Sequence, residues 1–210
     1  MATSKKFYRT EAVKGPLMRL SYAQNLRKGR ENDQGVMKYG CTLILPKADA
    51  EGLRKLQAMV AEVVKGEWGE KGVERFKSEL IKNPILRGDG KEAKNKETGE
   101  INPGLGPDFV FIRATSNEAV KVFNAKVQPA SDGEIVSGYW GYPVLNAYAW
   151  HNPQNGDGVS FGISMVQIVK EDEALGGSGA ARDPNAYFET VATESGQEGS
   201  SGNGAADMFG

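Results

Sequence analysis

Trp140, Tyr142, Asn146, Tyr148 and Trp150 fall at even spacing in the run Gly138–Trp150. A strand through that run therefore puts four rings and one amide on a single face, with Gly141, Pro143, Leu145, Ala147 and Ala149 on the other. The second set is small and mostly apolar, so it can pack inward and leave ring faces on the outside of a sheet. Uncovered ring faces stack on flat, unsaturated partners such as nucleobases, at about 1–3 kcal/mol per base and with little regard to which base it is. The opposite reading stays open on equal terms: the rings fill a core, and Gly141 and Ala147 make room for them.

Cations keep company with these rings. Arg19, Arg27, Lys28, Arg30 and Lys38 lie on or between the first two expected strands, and Arg27-Lys28-Gly29-Arg30 occupies the connection between them. Singly, each is best read as a solvated surface residue; as a cluster they form a patch suited to a polyanion backbone. Phe109, Phe111 and Arg113 share one face of a later strand and extend the same platform, with burial of both phenyl rings as the competing expectation.

Catalytic chemistry has little to work with. His151 is the single histidine, followed by Asn152-Pro153 in an expected turn, so no two-histidine metal site or proton shuttle can be assembled. Cys41 is the single cysteine and sits at an inward strand position, which makes it a small core residue and rules out an intramolecular disulfide. Asp108, Glu118 and the other scattered acids form no metal-binding spacing. Gly88-Asp89-Gly90 lacks the strand–loop–helix setting and the Gly-Lys-Ser/Thr ending of a phosphate-binding loop. The expectation is a binding protein with no catalytic residue, no metal and no cofactor.

The net charge of −1 conceals segregation: residues 1–40 sum to +6, residues 41–170 to zero and residues 171–210 to −7. A basic start draws in polyanions and an acidic end competes with them for the same surface. From Glu171 onward Gly and Ser dominate and few apolar residues remain, so this segment cannot offset its ordering entropy by burial and is expected to be disordered. Asp207, Met208 and Phe209 place two large apolar side chains at its tip, which reads as a docking peptide for a protein partner. No apolar run reaches the roughly 20 residues that cross a bilayer, and the opening residues lack the apolar core of a secretion signal; the expected location is cytoplasmic.

The elements that must position these residues follow from periodicity. Residues 13–22 and 36–45 read as strands; the second sets Met37, Tyr39, Cys41, Leu43 and Leu45 against Lys38, Gly40 and Thr42. Asp49 caps a helix carrying Leu53, Leu56, Val60, Val63 and Val64, and a second helix is expected from Glu70 to Lys82, ended by Asn83-Pro84. Residues 87–107 read as a long loop. Strands follow at 109–115, 119–127, 135–150 and 159–169. The expected fold is mainly β with helical additions: a five-stranded, partly open Greek-key barrel of the OB type. Residues 1–12 are expected to be a flexible basic lead, 13–170 the barrel domain with a helical and loop insertion at 66–107, and 171–210 the tail.

Leu17-Met18-Arg19-Leu20-Ser21-Tyr22, Lys38-Tyr39 leading to Leu43-Ile44-Leu45-Pro46-Lys47, and Ser137-Gly138-Tyr139-Trp140-Gly141 through Asn146-Ala147-Tyr148-Ala149-Trp150 to Gly158-Val159-Ser160-Phe161-Gly162-Ile163 resemble, in that order, a family of phage-encoded single-stranded-DNA-binding proteins. The resemblance spans about residues 13–170. It implies an OB fold, sequence-independent binding of single strands in phage replication or recombination, and a C-terminal tail that touches replication partners. The tails of such proteins commonly end in acids and a terminal aromatic; here the acids are sparse and Gly210 follows Phe209. A homo-oligomer is compatible with this reading. The alternative from another class is a phage structural or assembly protein that uses the aromatic face as a protein interface.

Overall fold

A computed structural model describes residues 7–32 and 34–176. In chain order the elements are β1 (Val13–Lys14), β2 (Met18–Ser21), α1 (Asn25–Lys28), β3 (Arg30–Glu31), β4 (Met37–Pro46), α2 (Ala50–Lys77), β5 (Ile81–Lys82), β6 (Leu86–Arg87), β7 (Phe109–Ser116), β8 (Lys121–Phe123), β9 (Trp140–Asn152) and β10 (Gly156–Lys170).

Five of the strands close on themselves. β2 pairs with β4, β4 with β7, β7 with β10, β10 with β9, and β9 returns to β2. All of these contacts are antiparallel except β7–β10, which is parallel. Counting only these five in chain order, the circuit runs first, second, third, fifth, fourth and back to the first. That is the five-stranded Greek-key barrel of the OB type expected from the sequence, here with its circuit closed rather than partly open.

Alternation decides what fills the barrel. Leu20, Cys41, Leu43, Leu45, Ile112, Ala114, Leu145, Ala147, Ala149, Val159, Phe161 and Ile163 all point into one buried cluster. Leu56, Met59, Val60, Val63 and Val64 of α2 join it from one side. These residues recur at helical spacing, so α2 presents one apolar stripe to the barrel. Asp49 caps the helix by accepting a hydrogen bond from the Gly52 N–H at 2.8 Å.

Several boundaries depart from the expectation, each for a local reason. The two expected helices are joined as α2 across Gly69, whose φ of 63° breaks the helical path. The second half stops at Lys77 rather than Lys82, because Glu79 takes a left-handed conformation and Ile81 is captured as a parallel partner of Asp157 on β10. Residues 25–28, expected as loop, wind into a single helical turn that buries Leu26. The expected strand at 119–127 shortens at both ends to β8, and that at 135–150 begins later, at Trp140, and runs on to Asn152 as β9.

Residues 8–10, part of the expected flexible lead, and residues 86–107, of the expected loop insertion, rest on the barrel. Backbone hydrogen bonds from Ala149 N to Tyr8 O and from Thr10 N to Ala147 O, each 2.9 Å, carry residues 8–10 along β9, continuous with β1. Residues 86–107 lie over the outer side of β4 and β7: Ile44, Ala93 and Phe111 form a second buried cluster, with Leu86, Leu105, Phe109 and Leu175 packed around it. Among the described residues no helix is long and apolar enough to cross a membrane.

Candidate functional site

β9 alternates as its residue types require. Gly141, Pro143, Leu145, Ala147 and Ala149 are buried, while Trp140, Tyr142, Val144, Asn146, Tyr148 and Trp150 are half-buried on the outer face. Residues paired across neighbouring strands share a face, so register extends this stripe sideways into rows. Arg19 of β2 and Lys170 of β10 flank Trp140. Lys14 of β1 and Met165 flank Val144, one step from Tyr142. Arg9 and Ser160 flank Tyr148, and Gly158 lies between Trp150 and Lys82 of β5.

The rows bring one cation to each ring. Lys14 Nζ stands 3.8 Å from the centre of Tyr142, the Arg9 guanidinium 5.5 Å from Tyr148, Lys82 Nζ 5.7 Å from Trp150 and Lys170 Nζ 5.7 Å from Trp140. All fall within the range of cation–π attraction, about 0.5–1 kcal/mol each at exposed sites. The indole N–H groups are tied down: Trp140 Nε1 donates to Asp172 at 2.7 Å and Trp150 Nε1 to Ser160 Oγ at 2.9 Å. The Trp140 hydrogen bond, helped by the Glu173 backbone N–H, holds the Asp172 carboxyl below its usual range.

The floor between the rings is made of small residues. A Cβ placed on Gly158 would come within 2.2 Å of the Trp150 ring, and one on Gly162 within 2.5 Å of Asn146 Oδ1. Trp150 and Asn146 therefore lie down over β10 where a larger residue would push them off. Thr115 of β7 is the other neighbour of Gly162, so the ring face continues across β10 onto the exposed part of β7 that carries Thr115 and Arg113.

Asn146 differs from the rest of the stripe. Its Nδ2 is closed off from solvent and has no hydrogen-bond partner. An unmet buried donor costs about 1–3 kcal/mol. Beside it the pairing of the N-terminal segment slips by one residue between Arg9↔Tyr148 and Val13↔Leu145, which opens a notch of about 490 Å³ lined by Phe7, Arg9, Thr10, Glu11, Ala12 and Asn146.

The other residues singled out from the sequence have various surroundings. Lys28 and Arg30 are exposed next to the β2–β4 connection, and Lys38 points outward with its ammonium on Asn117 Oδ1. Arg27 is tied to Asp132 at 2.7 Å and to the Ala130 carbonyl. Arg19 donates to the carbonyls of Gly138 and Glu173 at 2.9 and 2.8 Å. Arg113 is exposed and donates to the Glu92 carbonyl at 2.9 Å. Phe111 is 1% exposed under residues 86–107, so it offers no ring face in this arrangement and leaves the outward platform. The tail residues Asp207, Met208 and Phe209 lie outside the described residues.

Sequence reasoning missed Arg9, Lys14, Lys82 and Lys170. Arg9 and Lys14 were counted only in the basic total of the N-terminal region; the pairing of residues 9–14 with β9 is a long-range contact that leaves no local signal. Lys82 was hidden by extending the second helix over it. His151 Nδ1 stands 2.7 Å from Asp157 Oδ1, and Asp157 Oδ2 accepts from Arg75 at 2.6 Å, so Asp157 ties the histidine of β9 and the start of β10 to Arg75 of α2. Burial pushes the Asp157 carboxyl up, but the hydrogen bonds from Arg75 and His151 outweigh it and hold it below its usual range. Burial pushes the Cys41 thiol up to about 12, which keeps it protonated and unreactive. Among the described residues no three His, Cys, Asp or Glu side chains gather as a metal cluster.

Comparison with known proteins shows the family and the fold. A family model described as the ssDNA-binding protein of Enterobacter phage Enc34 matches residues 10–196, most of the chain. The structure of that phage's single-stranded DNA-binding protein in complex with ssDNA superposes with a TM-score of 0.57 at 22% identity, covering 79% of this chain and 89% of its own. The C-terminally truncated form of the Enc34 protein gives 0.55 at 21% identity, covering 83% of this chain and 100% of that one. These two show the shared fold. A relative described as putative protein p50 of Acyrthosiphon pisum secondary endosymbiont phage 1 is 25% identical over 170 residues, 78% of this chain and 86% of its own length. The chain belongs to the Enc34 single-stranded-DNA-binding protein family.

Proposed function

We propose that this member of the Enc34 family coats single-stranded DNA through the outer face of β9 and β10, with bases stacked on Trp140, Tyr142, Tyr148 and Trp150 and phosphates drawn in by the cations at the edges of those rings. The observation that carries this reading is the set of four outward rings, each with a Lys or Arg nitrogen or guanidinium within 5.7 Å of its centre. Stacking supplies affinity without sequence preference, and the cations supply attraction that salt weakens. Lys28, Arg30 and Lys38, beside the β2–β4 connection, are positioned to extend the path of the backbone.

A coating role in phage replication or recombination follows, in the host cytoplasm and without catalysis. The acids after Gly176 act as an internal competitor for the cationic rows, and Asp207, Met208 and Phe209 dock a replication partner. Residues 171–175 bear on how this is tested, because Asp172 holds the Trp140 indole and Leu175 packs on the second cluster. Truncation after Gly176 removes five acids together with the tip while leaving residues 171–175 in place, whereas truncation after Lys170 also frees Trp140 and uncovers the second cluster.

The test is a titration of the protein with labelled single- and double-stranded oligonucleotides at two salt concentrations, read by anisotropy and by tryptophan fluorescence. Quenching on single strands, with affinity that falls as salt rises, is the expected result. Flat fluorescence with no single-strand affinity at low salt overturns the reading and leaves the exposed rings as a protein interface in a phage particle or its assembly. Truncation after Gly176 tightens single-strand binding; unchanged or weaker binding removes the competitor role from the tail.

A further inference from the structure

We propose that the notch beside Asn146 is a base-edge subsite: one nucleotide of the bound strand turns its base into the notch, where the Asn146 carboxamide exchanges hydrogen bonds with the base's own donor and acceptor. This rests on the single-strand-binding reading above and adds to it a site that recognises base edges rather than ring faces.

Three observations converge. Asn146 lies midway along the ring stripe, between Tyr142 and Tyr148, where a strand stacked on those rings must pass. Its carboxamide makes no hydrogen bond within the chain, and Nδ2 is a buried donor without an acceptor, whereas the neighbouring indole N–H groups and the Thr10 hydroxyl are all engaged. Buried polar groups that stay unmet in a folded protein are rare enough to call for a cause, and a ligand that completes them is one. The cavity at this point exists because the N-terminal segment bulges by one residue opposite Asn146, and such bulges recur beside functional sites.

The lining selects the ligand. Arg9 and Glu11 put one charge of each sign on the rim, so the notch has no net attraction for phosphate; Phe7 and Ala12 give it apolar walls. A nucleobase is flat, apolar on its faces and polar on its edge, and a primary amide offers one donor and one acceptor side by side, the pattern that pairs with a base edge. Entry of the base requires the carboxamide to lift off Gly162, against which it now lies.

The experiment compares Asn146→Leu and Asn146→Asp with the unaltered full chain, using single-stranded DNA of about 16 nucleotides, the upper footprint of an OB domain, and an abasic deoxyribose-phosphate polymer of equal length. Expected is about tenfold weaker binding of base-bearing strands by Asn146→Leu, what one or two hydrogen bonds carry, with abasic binding unchanged. The melting temperature of Asn146→Leu stays the same or rises, because an unmet donor has been removed. Equal affinity of variant and parent for base-bearing strands overturns the subsite, as does an equal loss on both polymers, which marks a backbone contact. A lowered melting temperature assigns Asn146 a structural role instead. Should Asn146→Leu not fold, Asn146→Asp decides by the same ratio of base-bearing to abasic affinity. Failure of the unaltered chain to bind any single strand is a different result and removes the proposed function itself.

Discussion

Two outer surfaces of this barrel begin from similar sequence and end differently. On β7, Phe109, Phe111 and Arg113 alternate much as Trp140, Tyr142 and their neighbours do on β9. Yet Phe111 is sealed while the β9 rings stay half-open. The difference lies elsewhere in the chain: residues 86–107 bring Leu86, Ala93 and Leu105 to cover β4 and β7, whereas the N-terminal segment meets β9 edge-on, as a further strand, and leaves its face bare. Whether an aromatic stripe becomes core or surface is decided by a partner segment with apolar side chains to spare, and among the described residues this barrel has one for only one of its two stripes.

The largest effect that tests this contrast is on stability. Phe111→Ala should cost about 3–5 kcal/mol by leaving a cavity under residues 86–107, read as a shift in the denaturant midpoint. A change near zero would mean that the cover is not packed and the two faces are alike. Next comes affinity. Trp140→Ala and Trp150→Ala should each weaken single-strand binding by about 1–3 kcal/mol while unfolding less readily than Phe111→Ala, measured by titration at fixed salt. Loss of stability without loss of affinity would move β9 into the same category as β7.

The cations sharpen the comparison further. Replacing Arg9, Lys14, Lys82 or Lys170 by Ala should lower the slope of log affinity against log salt by about 0.7 per lost phosphate contact. Arg27→Ala should leave the slope unchanged, because Asp132 already occupies that guanidinium. The smallest effect concerns the turn at the end of the ring face. Asp157 is held below the usual carboxylate range, so its contribution is complete above the ordinary carboxylate pKa and drains away as pH falls through the depressed value. Asp157→Asn should cost about 1 kcal/mol at neutral pH and flatten the acid limb of stability, followed by denaturant midpoints from neutral pH to about pH 3.

Alternation was legible wherever one face is apolar: the inward run Cys41, Leu43 and Leu45 of β4 and the stripe of α2 follow from spacing, whereas Met37, expected inward, is exposed, and spacing gave the two faces of β9 without deciding which of them is buried. The barrel circuit was legible as a class, through the order of strands and helix. What stayed hidden came from pairings between distant residues. Lys82 belongs to the ring face because Ile81 and Lys82 add to β10, and no local rule separates that strand from a continued helix. Arg9 and Lys14 belong to it through a two-residue strand and an isolated bridge, too short to leave a period. The basic cluster that the sequence does show, around Arg27, is partly consumed by internal ion pairing.

Gly158 is the seat of one of the four rings. Because Trp150 rests on its bare Cα, the tilt of that indole is set by a hydrogen atom on the neighbouring strand. Gly158→Ala would keep every aromatic and every charge in the sequence yet force the Trp150 ring off its seat, because the added Cβ would come within 2.2 Å of it. Under the proposed function, relatives that differ at this single position differ in grip while sharing every group that does the gripping, a dial for affinity that no inventory of contact residues would reveal.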